Sequence, residues 1–63
     1  MRTFFSTWQP LDIDGAIIIH DARSSALEAG ELVEVVRGSS NEVFRVTEVR
    51  DRSFTGEFIA SSN

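Results

Sequence analysis

Cysteine and lysine are both absent from this 63-residue chain, and proline occurs once. Without cysteine there can be no disulfide and no thiolate-based zinc site, and the composition fits a reducing, cytoplasmic setting. Without lysine, every side-chain cation is one of six arginines, the residue that grips a carboxylate in fixed geometry. Long apolar runs are missing too. The longest is Ala16-Ile17-Ile18-Ile19, far short of the ~20 residues that a membrane span requires. The stretch from Met1 to Trp8 carries one positive side chain and no apolar run follows it, so no targeting segment is expected. Repeats and low-complexity tracts are absent. The chain reads as one domain over residues 1–60 with a polar tail, Ser61-Ser62-Asn63.

What is present is ordinary for a globular domain: 41% hydrophobic and 25% charged residues. Disorder is not expected. A domain of this size buries only about 60% of the surface its unfolded chain exposes. The expected state is a monomer or a small homo-oligomer.

From Glu31 onward the pattern is that of strands. Glu31 to Arg37 is rich in valine and bounded by Gly30 and Gly38; Val43 to Arg50 alternates at period two; Ser53 to Ile59 does so again, with Phe54 and Phe58 in phase. Turn-forming composition at 38–42 and at Asp51-Arg52 predicts a three-stranded antiparallel meander. Thr3 to Trp8 suits a further strand, ended by Gln9-Pro10. Leu11 and Ile13 alternate with Asp12 and Asp14, and Asp14-Gly15 turns the chain into the run Ala16 to Ile19. Asp21 can cap a two-turn helix over residues 21–29 that stops at Gly30, an irregular loop being the alternative. The fold class expected is β-rich α+β: a small curved antiparallel sheet or barrel of four to five strands with one short helix. The stretch Leu27 to Ile59, in which an apolar residue and a glycine precede a valine-rich strand, a hairpin and a third strand, resembles the core of SH3-like barrels.

Catalytic constellations fail on inspection. His20 and Asp21 are adjacent, so in a strand they point to opposite faces and cannot form the orienting pair that a Ser24 or Ser25 nucleophile would need. Asp12-Ile13-Asp14-Gly15 is like the start of a calcium loop, but counting from Asp12 puts Ile17 at position six and Arg23 at position twelve, where an EF-hand needs glycine and glutamate. Paired carboxylates for glycoside hydrolysis would need a sugar-binding cleft. Neither a glycine-rich phosphate loop nor a metal-ligand cluster is written in the chain. No enzyme, cofactor or metal is expected. The aromatics Phe4, Phe5, Trp8, Phe44, Phe54 and Phe58 read as core, with Phe5 and Trp8 as the exceptions available to a partner.

The charge is unevenly spread. Residues 1–35 hold Asp12, Asp14, Asp21, Glu28, Glu31 and Glu34 against Arg2 and Arg23, which accounts for the whole net charge of −4. The second half is neutral, and on the last three strands Glu34, Arg45, Glu48, Arg50 and Glu57 are suited to cross-strand ion pairs. Direct nucleic-acid binding is therefore disfavoured. On an extended segment Asp12 and Asp14 would stand about 6.6 Å apart, and with Asp21, Glu28, Glu31 and Glu34 they could present a negative, DNA-like surface. A short acidic chain without enzymatic parts resembles, as a class, phage and mobile-element inhibitors including anti-CRISPR proteins, which share no common motif. That resemblance implies a protein partner, a DNA-binding subunit of a CRISPR effector complex, met in the host cytoplasm. The alternatives are a structural β-barrel of a phage head–tail connector and a generic adaptor module.

Overall fold

The computed structural model describes residues 1–62. Five strands, β1 (Arg2–Ser6), β2 (Ala16–His20), β3 (Leu32–Arg37), β4 (Ser40–Val49) and β5 (Ser53–Ser61), build one sheet in the order β1-β3-β4-β5-β2. The predicted meander is present: β3, β4 and β5 pair antiparallel, and β2 adds antiparallel to β5. The sheet is nevertheless mixed, because β1 lies parallel to β3, with Phe4 opposite Val35. Alternation along a strand reports its two faces and not its direction, so the sequence could not reveal this.

Curvature closes the sheet into a half-barrel. Residues 7–15 connect its two outermost strands, and side chains bridge the remaining gap: Arg23 Nη2 donates to Thr3 O at 3.2 Å and Arg2 Nη1 to Ala26 O at 3.0 Å. Two register shifts between β4 and β5, at Val43/Phe44 and at Val46/Glu48, supply local twist. Gly56 lets β5 pass under Phe44. A Cβ added there would stand 3.1 Å from the Phe44 Cβ, closer than packed carbons sit.

Period-two alternation sends Phe4, Ile17, Ile19, Val33, Val35, Phe44, Val46 and Phe54 into one core, sealed by Leu27 from the β2–β3 connection. Phe4 meets Phe54 edge to face, centroids 5.0 Å apart.

The predicted helix over 21–29 shrinks to one 3₁₀ turn, Ser24–Ala26. Asp21 explains why. Its Oδ1 accepts from Arg23 N–H at 2.8 Å, and its backbone oxygen accepts from both Ser24 N–H and Ser24 Oγ. These local bonds compete with the helical ladder, and Leu27 is already extended (ψ 163). The tail also differs from its reading. Ser61 belongs to β5 opposite Glu42, and Ser62 donates to Asn41 O, so the sheet runs past residue 60; Asn63 lies outside the described residues.

Candidate functional site

Five of the six arginines are matched to a carboxylate within the fold. Arg2 faces Glu31 (3.6 Å), Arg23 faces Asp21 (3.0 Å), Arg37 faces Glu42 (2.8 Å), Arg45 faces Glu57 (3.3 Å), and Arg50 is paired with Glu48. Among the described residues Arg52 has no such partner; it follows Asp51 directly in the β4–β5 turn, and the two offset each other. The whole net charge of −4 then rests on Asp12, Asp14, Glu28 and Glu34. Of the six acids singled out in the sequence, Asp21 and Glu31 are neutralised by their neighbours. The other four are the excess.

The four do not share one place on the sheet. Asp12 and Asp14 sit beside β2, while Glu34 lies on β3 and Glu28 just ahead of it, with β4 and β5 in between. Three strand spacings amount to roughly 14 Å along the sheet. The extended geometry expected for Asp12 and Asp14 is replaced by a tight turn. Asp12 Oδ1 accepts from Asp14 N–H at 2.9 Å and from Ala16 N–H at 2.8 Å, while Gly15 N–H donates to Asp12 O, with Gly15 in the left-handed region (φ 76). Asp14 is exposed on this turn. Glu34 accepts from Thr3 Oγ1 at 3.1 Å on the outer face, and Glu28 is exposed.

The buried pair Arg37–Glu42 is the feature the sequence reading missed. Arg37 Nε and Nη2 donate to the two carboxylate oxygens at 2.8 and 3.0 Å, Nη1 donates to the backbone oxygen of Gln9, and the guanidinium lies 5.8 Å from the Trp8 ring centroid. Both residues are 8% exposed. Their positions were written in the alternation. Val33 and Val35 are followed in phase by Arg37, and Phe44 and Val46 are preceded in phase by Glu42, so two opposite charges fall on the core face at the same end of one hairpin.

Apolar groups are also left outside. Phe5 is 70% exposed while Phe4 is fully buried, as opposite-facing neighbours must be, and Trp8 is 63% exposed. Between β2 and the segment 9–12 runs an open groove of about 450 Å³, lined by Gln9, Pro10, Leu11, Asp12, Ile18 and Thr55 among others. Among the described residues no three His, Asp or Glu side chains converge to hold a metal ion, and no helix is long and apolar enough to cross a membrane.

This chain matches no protein-family model, no curated protein and no solved structure.

Asp21 offers a direct check of the charge assignment. Hydrogen bonds from the Arg23 side chain and backbone hold its carboxyl below the usual aspartate value of 3.8. A carboxyl lowered by folding stabilises the native state above its unfolded value, and that contribution fades as pH falls through the lower, folded value. Thermal unfolding followed below pH 3.8 should show the wild type losing stability there. Asp21→Asn should be less stable at neutral pH and flatter across that acid limb. An unchanged acid limb would mean that the Asp21–Arg23 contact is not maintained in solution.

Proposed function

We propose that this protein is a non-catalytic inhibitor that blocks a DNA-binding protein or complex by presenting carboxylates where that partner grips phosphate. The observation supporting this reading is that the net negative charge rests on four side chains, Asp12, Asp14, Glu28 and Glu34, after the fold has matched the others to arginines. Within the five-stranded frame Asp12 and Asp14 lie on the turn beside β2 and Glu34 on β3, three strands away in the sheet, so a phosphate-reading surface would meet carboxylates at separate points. In this reading the protein acts in the cytoplasm as an anti-CRISPR-type inhibitor, its partner a DNA-binding subunit of a CRISPR effector complex.

The test is a pull-down of the tagged protein from bacterial lysate at low and high salt, with duplex DNA added as competitor. A DNA-binding complex recovered at low salt, released at high salt and displaced by duplex supports the proposal. The quadruple variant Asp12→Lys/Asp14→Lys/Glu28→Lys/Glu34→Lys should lower affinity for that complex by about 100-fold or more. The control Asp21→Asn/Glu31→Gln should bind nearly as well as wild type. Equal binding by the quadruple variant would defeat the reading.

A second reading, a structural barrel of a phage head–tail connector, is favoured by the two sheet edges. Neither β1 nor β2 has a neighbouring strand on its outer side among the described residues, and each carries an exposed apolar side chain, Phe5 and Ile18. That reading expects ring-like self-association indifferent to salt.

A further inference from the structure

We infer that the outer edge of β2 is a docking site for an extended peptide strand of alternating apolar and basic side chains. The backbone phase of β2 carries the argument. Odd-numbered residues bond toward β5: Phe58 N–H donates to Gly15 O, and Asp21 N–H to Arg52 O. Even-numbered residues therefore face the other way. At one end of this edge Ala16 is already covered, its oxygen accepting from Asp12 N–H at 3.0 Å and its N–H donating to the Asp12 carboxylate. Asp12 thus mimics the first residue of a sixth strand.

The mimicry stops at the next position. The Ile18 N–H has no partner among the described residues, and Ile18 O meets the Gln9 amide at 3.5 Å. The same amide nitrogen lies 3.5 Å from Ser6 Oγ. Both distances are at the outer limit for a hydrogen bond, so Gln9 is a weak placeholder that a peptide N–H would displace. Beside this unfilled pair of groups lies the 450 Å³ groove, whose Pro10 and Leu11 wall and half-exposed Ile18 offer apolar contact.

Charge complementarity selects the occupant. Asp12 lines the groove and the exposed Asp14 lies two residues on, so basic side chains on the incoming strand would be drawn to that end. The two arginines that bond to the groove's lining are themselves paired: Arg50, which donates to Thr55 Oγ1, with Glu48, and Arg37, which donates to Gln9 O, with Glu42. A second copy of this chain, at −4, is repelled from the same place. Peptides that extend a sheet in this way gain affinity from main-chain bonds and selectivity from alternate side chains. The inference needs only the strand edge and its two aspartates, and does not rest on the inhibitor reading.

The probe is a synthetic blocked peptide, Lys-Val-Lys-Val-Lys, titrated into the 15N-labelled full chain, with Glu-Val-Glu-Val-Glu as control. The lysine peptide should shift the amides of Gln9, Asp12 and Ala16 to His20, and should slow exchange of the Ile18 amide proton. Asp14→Lys, on a side chain without a hydrogen-bond partner among the described residues, should weaken binding about tenfold while leaving the fold intact. Gln9→Ala should tighten it by freeing Ile18 O. Binding unaffected by Asp14→Lys, equal binding of the glutamate peptide, shifts confined to Phe5 and β1, or self-association without peptide uptake would each overturn the inference. None of these results depends on competition by duplex DNA, which tests the inhibitor reading separately.

Discussion

Glu42→Ala is expected to cost about 3–5 kcal/mol, because it leaves the Arg37 guanidinium buried without its counter-charge. A domain of this length has roughly 3–9 kcal/mol in total, so the variant should lose a third or more of its stability and unfold at a markedly lower urea concentration. Burial sets the size of the effect. Surface pairs such as Arg45–Glu57, with side chains 49% and 47% exposed, contribute ~0–1 kcal/mol. The Arg37 and Glu42 side chains are only 9% and 11% exposed, and two parallel N–H···O bonds fix them. The double variant Arg37→Met/Glu42→Leu should recover most of the loss or exceed wild type, since an apolar pair avoids the desolvation that the ion pair must offset. It should not recover the local order of segment 9–12, because Gln9 O loses the Arg37 donor. Urea unfolding followed by far-UV circular dichroism gives the stabilities, and amide exchange at Leu11 and Asp12 gives the local order. A cost below ~1 kcal/mol for Glu42→Ala would mean that water reaches the pair and that it behaves like a surface contact.

That pair also marks where the sequence stops being readable by composition and starts being readable by phase. In the second half the arginines and acids balance in number, which singles out no pair. Following the alternation instead carries the core face of β3 through Val33 and Val35 onto Arg37, and that of β4 back from Phe44 onto Glu42. The meander and the opposite facing of Phe4 and Phe5 were legible, because side-chain direction in a strand follows directly from position. The parallel partnership of β1 with β3 was not, since it depends on closure of the sheet and not on any local pattern. Residues 21–29 misled because a capping aspartate opens a helix and a tight turn alike. Ser24 then tips the balance to a single turn by donating its hydroxyl to Asp21 O, an acceptor that a longer helix would use. Among the acids, sequence position marked the half of the chain that carries the excess. Separating Asp21 and Glu31 from the other four required knowing which arginine each one meets.

Phe54→Ala should be as damaging as loss of Glu42, for the opposite physical reason. Phe54 is fully buried on β5, opposite Ile19 of β2 on one side and Val49 of β4 on the other. Its ring packs edge to face, at 63°, on Phe4 of β1. The Phe4–Phe54 contact therefore joins the first edge strand to the strand beside the last, across the interior of the half-barrel. Backbone pairing alone does not make that connection, because β1 and β5 are separated by β3 and β4 in the sheet. Removing a buried phenyl ring costs about 3–5 kcal/mol in transfer and cavity terms. For a domain of this size each kcal/mol lowers Tm by roughly 4–8 °C, so a fall of more than ~12 °C is expected. Phe5→Ala, which removes a ring that is 70% exposed, should change stability by no more than about 0.5 kcal/mol. Thermal scans of the two variants side by side test the inside-outside assignment of β1 and β5 together. If Phe5→Ala lowered Tm as much as Phe54→Ala, the outer face would be covered in solution by a further copy of the chain. The edge of β2 would then have to be reconsidered as part of that assembly. If the two separate as expected, Phe5 is free to be substituted without disturbing the frame that holds Asp12, Asp14, Glu28 and Glu34, and any loss of partner binding in Phe5→Ala reports contact and not unfolding.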